Sequence, residues 1–468
     1  MNDIRPFSGL RFDERIVGPL GAVVCPPYDV ISPPEQVRLH ARSPHNAIRL
    51  ELGTEFPGDD ASNNRYSRAA DTLRRWVEAG VVRREREPAL YLYEHRFLHQ
   101  GRSLAVRGLL ARLRLSPWED GVVLPHEDTM PLPKADRLSL MRATQANLSP
   151  LMLLFDDPSG MVRELMGEAM AQGNDAFTAD PDDGHLHQVF TVRGSRQERI
   201  LRALREPQLY MADGHHRYET ALAYARDVAS AAAANASGHN GSHSDVSRVA
   251  ATGSSLAERG NGRRNGLHPP HEFAMVLLVD SREPDLLVLP THRLIRGIDG
   301  ERLAALGRSI SAMFEVEEVE KGPGPGATAD RLLERLAERG REGHALGVYG
   351  RGSLGAAVLK LRTRAETRAN GARPVLDVDV LHDMVLAPAG MGSGQSGPDG
   401  EVAYLRDAAE ALKAVDRGDA QMAFLLNATR VEQVLATARA RGRMPQKSTF
   451  FFPKPATGLV FHSLAIGS

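Results

Sequence analysis

The run Gln208-Leu209-Tyr210-Met211-Ala212-Asp213-Gly214-His215-His216-Arg217-Tyr218-Glu219-Thr220-Ala221 puts an acid, a glycine, two imidazoles and a guanidinium at consecutive positions. Asp213 has the chemistry to orient a histidine, take a proton, or hold a metal ion bound to phosphate. With His215 and His216 it forms the candidate catalytic set. Gly214 lets a backbone approach a ligand closely, and Arg217 can grip two phosphate oxygens at once. Two elements must position these groups. Leu209 to Ala212 reads as a short apolar strand, and Tyr218, Ala221, Leu222 and Ala225 supply the spacing of an amphipathic helix. The corner between them is a helix N-terminus, where free N–H groups and the dipole favour anions. The bland alternative is a capped helix whose histidines merely pack.

Three more segments carry chemistry. Pro125-His126-Glu127-Asp128-Thr129 sets ionisable groups side by side between prolines, with Lys134, Asp136, Arg137 and Arg142 soon after. In an extended chain His126 and Asp128 point one way and Glu127 the other. Lys134 and Arg137 are candidate cofactor ligands. In Met444-Pro445-Gln446-Lys447-Ser448-Thr449 a lysine with two hydroxyls can hold a phosphate, although the glycine frame of a Walker A loop is missing. Thr291-His292-Arg293 is a cation pair at a strand end. Two lures are set aside. Gly350-Arg351-Gly352-Ser353-Leu354-Gly355 precedes a strand-like run, so it reads as a hairpin and not a dinucleotide-binding turn. His185 and His187 share a strand face but have no third ligand nearby in sequence, so no metal is assigned.

The chain has 468 residues, enough for one large or two to three ordinary domains. Its 58 basic and 59 acidic side chains nearly cancel, so nothing global points to nucleic acid. Cys25 is the only cysteine, which removes disulfides and multi-cysteine zinc sites and fits a reducing cytoplasm. Neither a secretory h-region nor a membrane-length apolar run is present, so a cytoplasmic protein is expected.

Secondary structure alternates between helix and strand. A helix capped by Ser62 or Asn63 stops near Gly80. Ala89–Phe97 and Ser103–Leu115 read as strands around Gln100-Gly101, and Ser195 with Glu198 reads as a capping box. Residues 230–270 are mostly small and polar and read as a disordered insertion. A helix is expected over Val402–Val415, a strand over Ala423–Leu426 and a helix over Thr429–Ala440. The organisation expected is an N-terminal region to 155, a motif-bearing region over 156–300, and a C-terminal region over 301–468, within one unit.

The Asp213-Gly214-His215-His216-Arg217 corner resembles the signature of the ParB/sulfiredoxin-like superfamily, which includes CTP-binding partition proteins, ATP-using sulfiredoxins and free-serine kinases. Ile4-Arg5-Pro6-Phe7, Cys25-Pro26-Pro27-Tyr28-Asp29-Val30-Ile31, Pro125 to Thr129, Lys134 to Arg137, Ala146 to Pro150, Leu289 to Arg293 and Met444 to Thr449 resemble the bacterial and archaeal domain of unknown function 1015. The resemblance implies an α+β fold, with mixed sheets, flanking helices and a ParB/sulfiredoxin-like core around the corner. It also implies a nucleotide-dependent phosphotransferase using ATP or ADP with magnesium on a small hydroxylated metabolite such as serine or phosphoserine. Gly214, Arg217, Lys447, Ser448, Thr449, Lys134 and Arg137 would bind the nucleotide. The free-serine kinases use an upstream acidic base; no position aligns with it, and Glu127 is offered for that role. The alternatives are a non-catalytic ParB-like nucleotide-binding module and a metabolite-binding protein without chemistry. Sulfiredoxin chemistry is disfavoured, because the motif lacks its cysteine and Cys25 is remote.

Overall fold

The hairpin expected around Gln100-Gly101 forms, with strands Leu90–His99 and Arg102–Arg114 and both turn residues at positive φ (50° and 75°). It is the spine of a nine-stranded sheet in a computed structural model that describes residues 1–129, 131–172, 175–237, 268–351, 355–362, 373–391 and 401–465. Across that sheet the order is Val123–Leu124, Leu209–Asp213, Leu151–Phe155, Phe273–Asp280, Arg102–Arg114, Leu90–His99, His185–Val192 and Ala176–Ala179, with Ile4–Arg5 pairing onto Arg102–Arg114. Most pairs are antiparallel. Leu151–Phe155 with Phe273–Asp280, and Leu209–Asp213 with Val123–Leu124, are parallel, so the sheet is mixed. Every residue of Phe273–Asp280 is buried, which its unbroken apolar run requires. Strands from both sides of residue 155 interleave here.

A second, wholly antiparallel sheet runs Phe314–Glu318, Ala356–Leu361, Ala345–Gly350, Met422–Leu426, His292–Ile295 and Val402–Leu405. Ala345–Gly350 and Ala356–Leu361 make the hairpin expected from the glycine-rich lure. The chain's last part returns to the first body: Phe451–Phe452 pairs with Leu287–Val288, and His462–Ser463 with Ala146–Asn147. One apolar core therefore runs from Phe7 to Phe461 and takes side chains from both sheets. The fold is mixed α and β, with helices packed on sheets.

Several local expectations shift for identifiable reasons. Asn64, not Ser62 or Asn63, caps helix Arg65–Glu78, because the Asp60 carboxylate already takes the N–H groups of Ser62 and Asn63. Ser195 caps nothing; helix Gly194–Ala203 starts after Arg193 without a side-chain cap. The helix expected over Val402–Val415 is strand Val402–Leu405 followed by helix Ala408–Arg417. Pairing with His292–Ile295 claims the first residues, and Asp407 caps the helix by accepting from Glu410 N–H. The motif helix runs through an alanine-rich stretch to Ser237, where alanine's high helical propensity overrides low hydrophobicity. Most of the expected insertion, 238–267, lies outside the described residues. Among the described residues no helix is long and apolar enough to cross a membrane.

Candidate functional site

Leu209 to Ala212 are buried, so the motif strand is anchored by its own apolar side chains. Its register against Leu151–Phe155 shifts between Met211 and Asp213. Such a bulge bends a strand and re-aims a side chain. Gly214 follows at φ 100°, and helix His215–Ser237 begins at once, with Tyr218 N–H bonding back to the Gly214 carbonyl. A Cβ on Gly214 would lie 2.8 Å from Leu151 Cδ2 and 3.2 Å from an Arg217 nitrogen. Gly214→Ala is therefore expected to lower stability by about 1–3 kcal/mol, the usual cost of a strained backbone site. A thermal melt of the variant indistinguishable from wild type would refute this account of the corner.

Asp213 sits between two cations. One carboxylate oxygen accepts from Arg217 at 2.7 Å, the other from Lys454 Nζ at 2.6 Å. Burial alone would raise this carboxyl, but the charges of Lys454 and Arg217 outweigh it and hold the group well below the ordinary carboxylate range. Lys454, 7% exposed at its side chain, also pairs with Asp29. Arg217 donates to Ser149 Oγ at 2.9 Å and to the Pro150 carbonyl at 2.8 Å as well. Its guanidinium is thus committed to protein partners and braces the corner. The expectation of a bidentate phosphate grip gives way to this support role.

His126 is fully buried, whereas Asp128, expected on the same side, is exposed and lines the cavity with Glu127. Its Nδ1 meets the Met211 carbonyl at 2.8 Å and its Nε2 meets Thr449 Oγ1 at 2.9 Å. Burial pushes its pKa down to about 4 and pushes that of His215 well down too, the two rings packing edge to face at 4.7 Å. Both imidazoles are neutral supports at physiological pH. His216 is half-buried beside Lys447, and burial lowers its pKa also. Glu127 turns away from His126 toward the cavity. Its Oε1 accepts from Lys447 N–H at 2.7 Å, and burial raises its carboxyl despite that bond.

The loop bearing Lys447 is clamped from behind by Arg293. Buried Arg293 donates to the carbonyls of Thr291, of Lys447 at 3.1 Å and of Gln446 at 3.3 Å, and burial lowers its pKa to about 10. The motif corner, the Glu127 segment and the Lys447 loop line a cavity of about 320 Å³. Asp213, Gly214, His215, His216 and Arg217 form one wall, Glu127 and Asp128 another, Lys447 and Thr449 a third. Three expected ligands lie elsewhere. Lys134 pairs with Glu219 at 2.8 Å, Arg137 stacks over the Tyr28 ring and bonds Asp136, and the Ser448 hydroxyl turns to the Pro445 carbonyl. Among the described residues no group of three or more His, Cys, Asp or Glu is arranged to hold a metal ion.

Residues 4–380, well over half of the chain, match the family described as protein of unknown function (DUF1015). The chain belongs to the DUF1015 family. No curated protein matches it in sequence. Among solved structures, a free serine kinase in complex with AMP is similar at 13% identity and TM-score 0.33, over 71% of this chain and 84% of that one. A conserved hypothetical protein from Pyrococcus furiosus gives 12% and 0.33 over 72% and 88%, and SbnI with C-terminal truncation from Staphylococcus aureus gives 10% and 0.32 over 75% and 86%. TM-scores of this size equate no residue of this DUF1015 protein with one of theirs.

Four of the cavity residues escaped the sequence reading. Asp29 and Tyr28 come from the Pro-Pro-Tyr-Asp segment, whose residue types were visible but whose distance in sequence hid the meeting with Asp213. Lys454 lies beyond the family match, after an aromatic run, and nothing local marks it as an ion-pair partner. Arg406, exposed at the rim, packs its guanidinium over the Phe450 ring at 4.3 Å. Arg406 and Lys447 line the same cavity, where Lys447 attracts the Glu127 carboxylate.

Proposed function

We propose that the cavity binds the phosphates of a nucleotide and transfers a phosphoryl group between it and a small hydroxylated metabolite. The observation that carries this reading is two cations left outside the buried ion pairs. Arg217 and Lys454 are spent on Asp213 and Asp29, while Lys447 and Arg406 face the same cavity as the N-terminal end of the motif helix, with Glu127 and Asp128 on its other wall. Two such cations beside a helix N-terminus favour a polyanion. Phosphoryl transfer needs positioned positive charge more than a covalent nucleophile.

In the forward direction the terminal phosphoanhydride P–O bond of the donor breaks as the acceptor oxygen bonds to phosphorus. The hydroxyl proton goes to Glu127. Its raised pKa makes it the better base than Asp213, whose proton affinity is depressed. Asp213 acts as a positioning group, fixing Lys454 and the corner. A magnesium ion carried by the phosphates requires only one or two carboxylates, and Asp128 is the cavity carboxylate left by the buried pairs and the base; the ion would neutralise phosphate charge. Serine or phosphoserine as the metabolite, and ATP or ADP as its partner, rest on the resemblance of the corner to the ParB/sulfiredoxin-like signature.

Incubation with ATP, ADP or CTP in combination with serine or phosphoserine, followed by phosphorus NMR, tests the reaction: new phosphomonoester or phosphoanhydride signals support it, and unchanged spectra with every combination reject it. Lys447→Ala is expected to weaken nucleotide affinity about 10- to 150-fold, the worth of one charge-assisted contact. Equal affinity of wild type and variant in a calorimetric titration would remove Lys447 from the site.

A further inference from the structure

A second cavity, of about 210 Å³, meets the first at Arg406, Phe450 and Lys454, each of which lines both. Its character is different. Pro27, Val30 and Phe452 are among its apolar walls, the charged Glu35, Arg42 and Asp183 also line it, and His95, His185 and His187 converge on one side. These histidines come from the paired strands Leu90–His99 and His185–Val192, with His187 directly opposite His95. His95 Nε2 and His185 Nδ1 share a hydrogen bond of 2.9 Å. Tyr93 Oη stands 2.8 Å from His187 Nδ1. His95 is 2% exposed, and its Nδ1 has no hydrogen-bond partner.

These rings do not make a metal site among the described residues. Nor do they suit an anion, because burial holds His95 well below its ordinary pKa and His187 at about 3, both neutral. A neutral imidazole offers one donor and one acceptor. A flat, uncharged heteroaromatic ring with donors and acceptors on its edge matches apolar walls lined on one side by such groups. Resting on the nucleotide reading above, we propose that the second cavity receives the nucleobase of the nucleotide whose phosphates occupy the first, its edge read by His95, His185 and His187. Arg406, packed on Phe450 where the cavities meet, then lies beside the α-phosphate and ribose. The two spaces together fall in the range of small-molecule sites, about 300–1,000 Å³.

Calorimetric titration of the full chain with ATP, inorganic tripolyphosphate and adenosine tests this. Tripolyphosphate carries at least as much charge as ATP, so any preference for ATP comes from the nucleoside. ATP is expected to bind about 10- to 100-fold more tightly than tripolyphosphate, the usual worth of one well-packed base. Adenosine should bind in the presence of saturating tripolyphosphate. Val30→Trp, which fills the second cavity, should abolish the preference for ATP and leave tripolyphosphate affinity unchanged. Tripolyphosphate binding without a preference for ATP, competition between adenosine and tripolyphosphate, or a preference kept by Val30→Trp would overturn the base cavity alone. Failure of tripolyphosphate to bind wild type would instead bring down the phosphate reading, and this inference with it.

Discussion

Arg217→Ala is expected to destabilise the protein by about 3–5 kcal/mol, the typical consequence of removing one partner from a buried ion pair. The guanidinium is 8% exposed and holds Asp213, Ser149 and the Pro150 carbonyl together. Its loss leaves Lys454 as the remaining cation on Asp213, and Lys454 is shared with Asp29. The pH dependence follows from the sign of the shift. Asp213 has a depressed folded-state pKa, so its contribution is present above the unfolded value and is lost as pH falls through the folded one. The deficit of the variant should therefore be full at neutral pH and shrink below about pH 4, where the unfolded carboxylate protonates. Denaturant melts across that range measure it. A variant with wild-type stability at neutral pH but no anion binding would show that Arg217 serves the ligand instead.

Glu127→Gln should lower kcat for phosphoryl transfer by about 10²- to 10⁴-fold, the range usual for a general base. The amide oxygen can still accept from Lys447 N–H, so the loop should keep its place. Stability should stay level or rise. Glu127 has a raised folded-state pKa, and the ionised form at neutral pH is the one burial penalises, so its stabilising contribution is lost as pH rises through that value. In wild type the rate should climb over the same interval as Glu127 gives up its proton, and that acidic limb should vanish in the variant. A Glu127→Gln enzyme with unaltered kcat and pH profile would leave Asp29, also on the cavity wall, as the carboxylate to test.

The sequence by itself determined what is local. The apolar run Leu209 to Ala212, Gly214 and the amphipathic spacing after it are enough to specify a strand, a sharp corner and a helix, because each rests on burial periodicity or backbone freedom within a few residues. The hairpin at Gln100-Gly101 and the rejection of the glycine-rich lure were legible on the same grounds. Where a local signal met a competing partner it misled: Val402 to Leu405 has helical spacing but is claimed by strand His292–Ile295. The site's charge balance was decided only by the tertiary structure. Whether Arg217 waits for a ligand or braces the corner depends on Ser149, Pro150 and Asp213 reaching it, and whether Asp213 is a base depends on Lys454, 241 positions away. Lys134, Arg137 and Ser448 have the right chemistry but spend it on nearby partners. Side-chain type is written residue by residue, whereas free charge is a difference between neighbours, and the neighbours are set by how the chain's end folds back across its beginning.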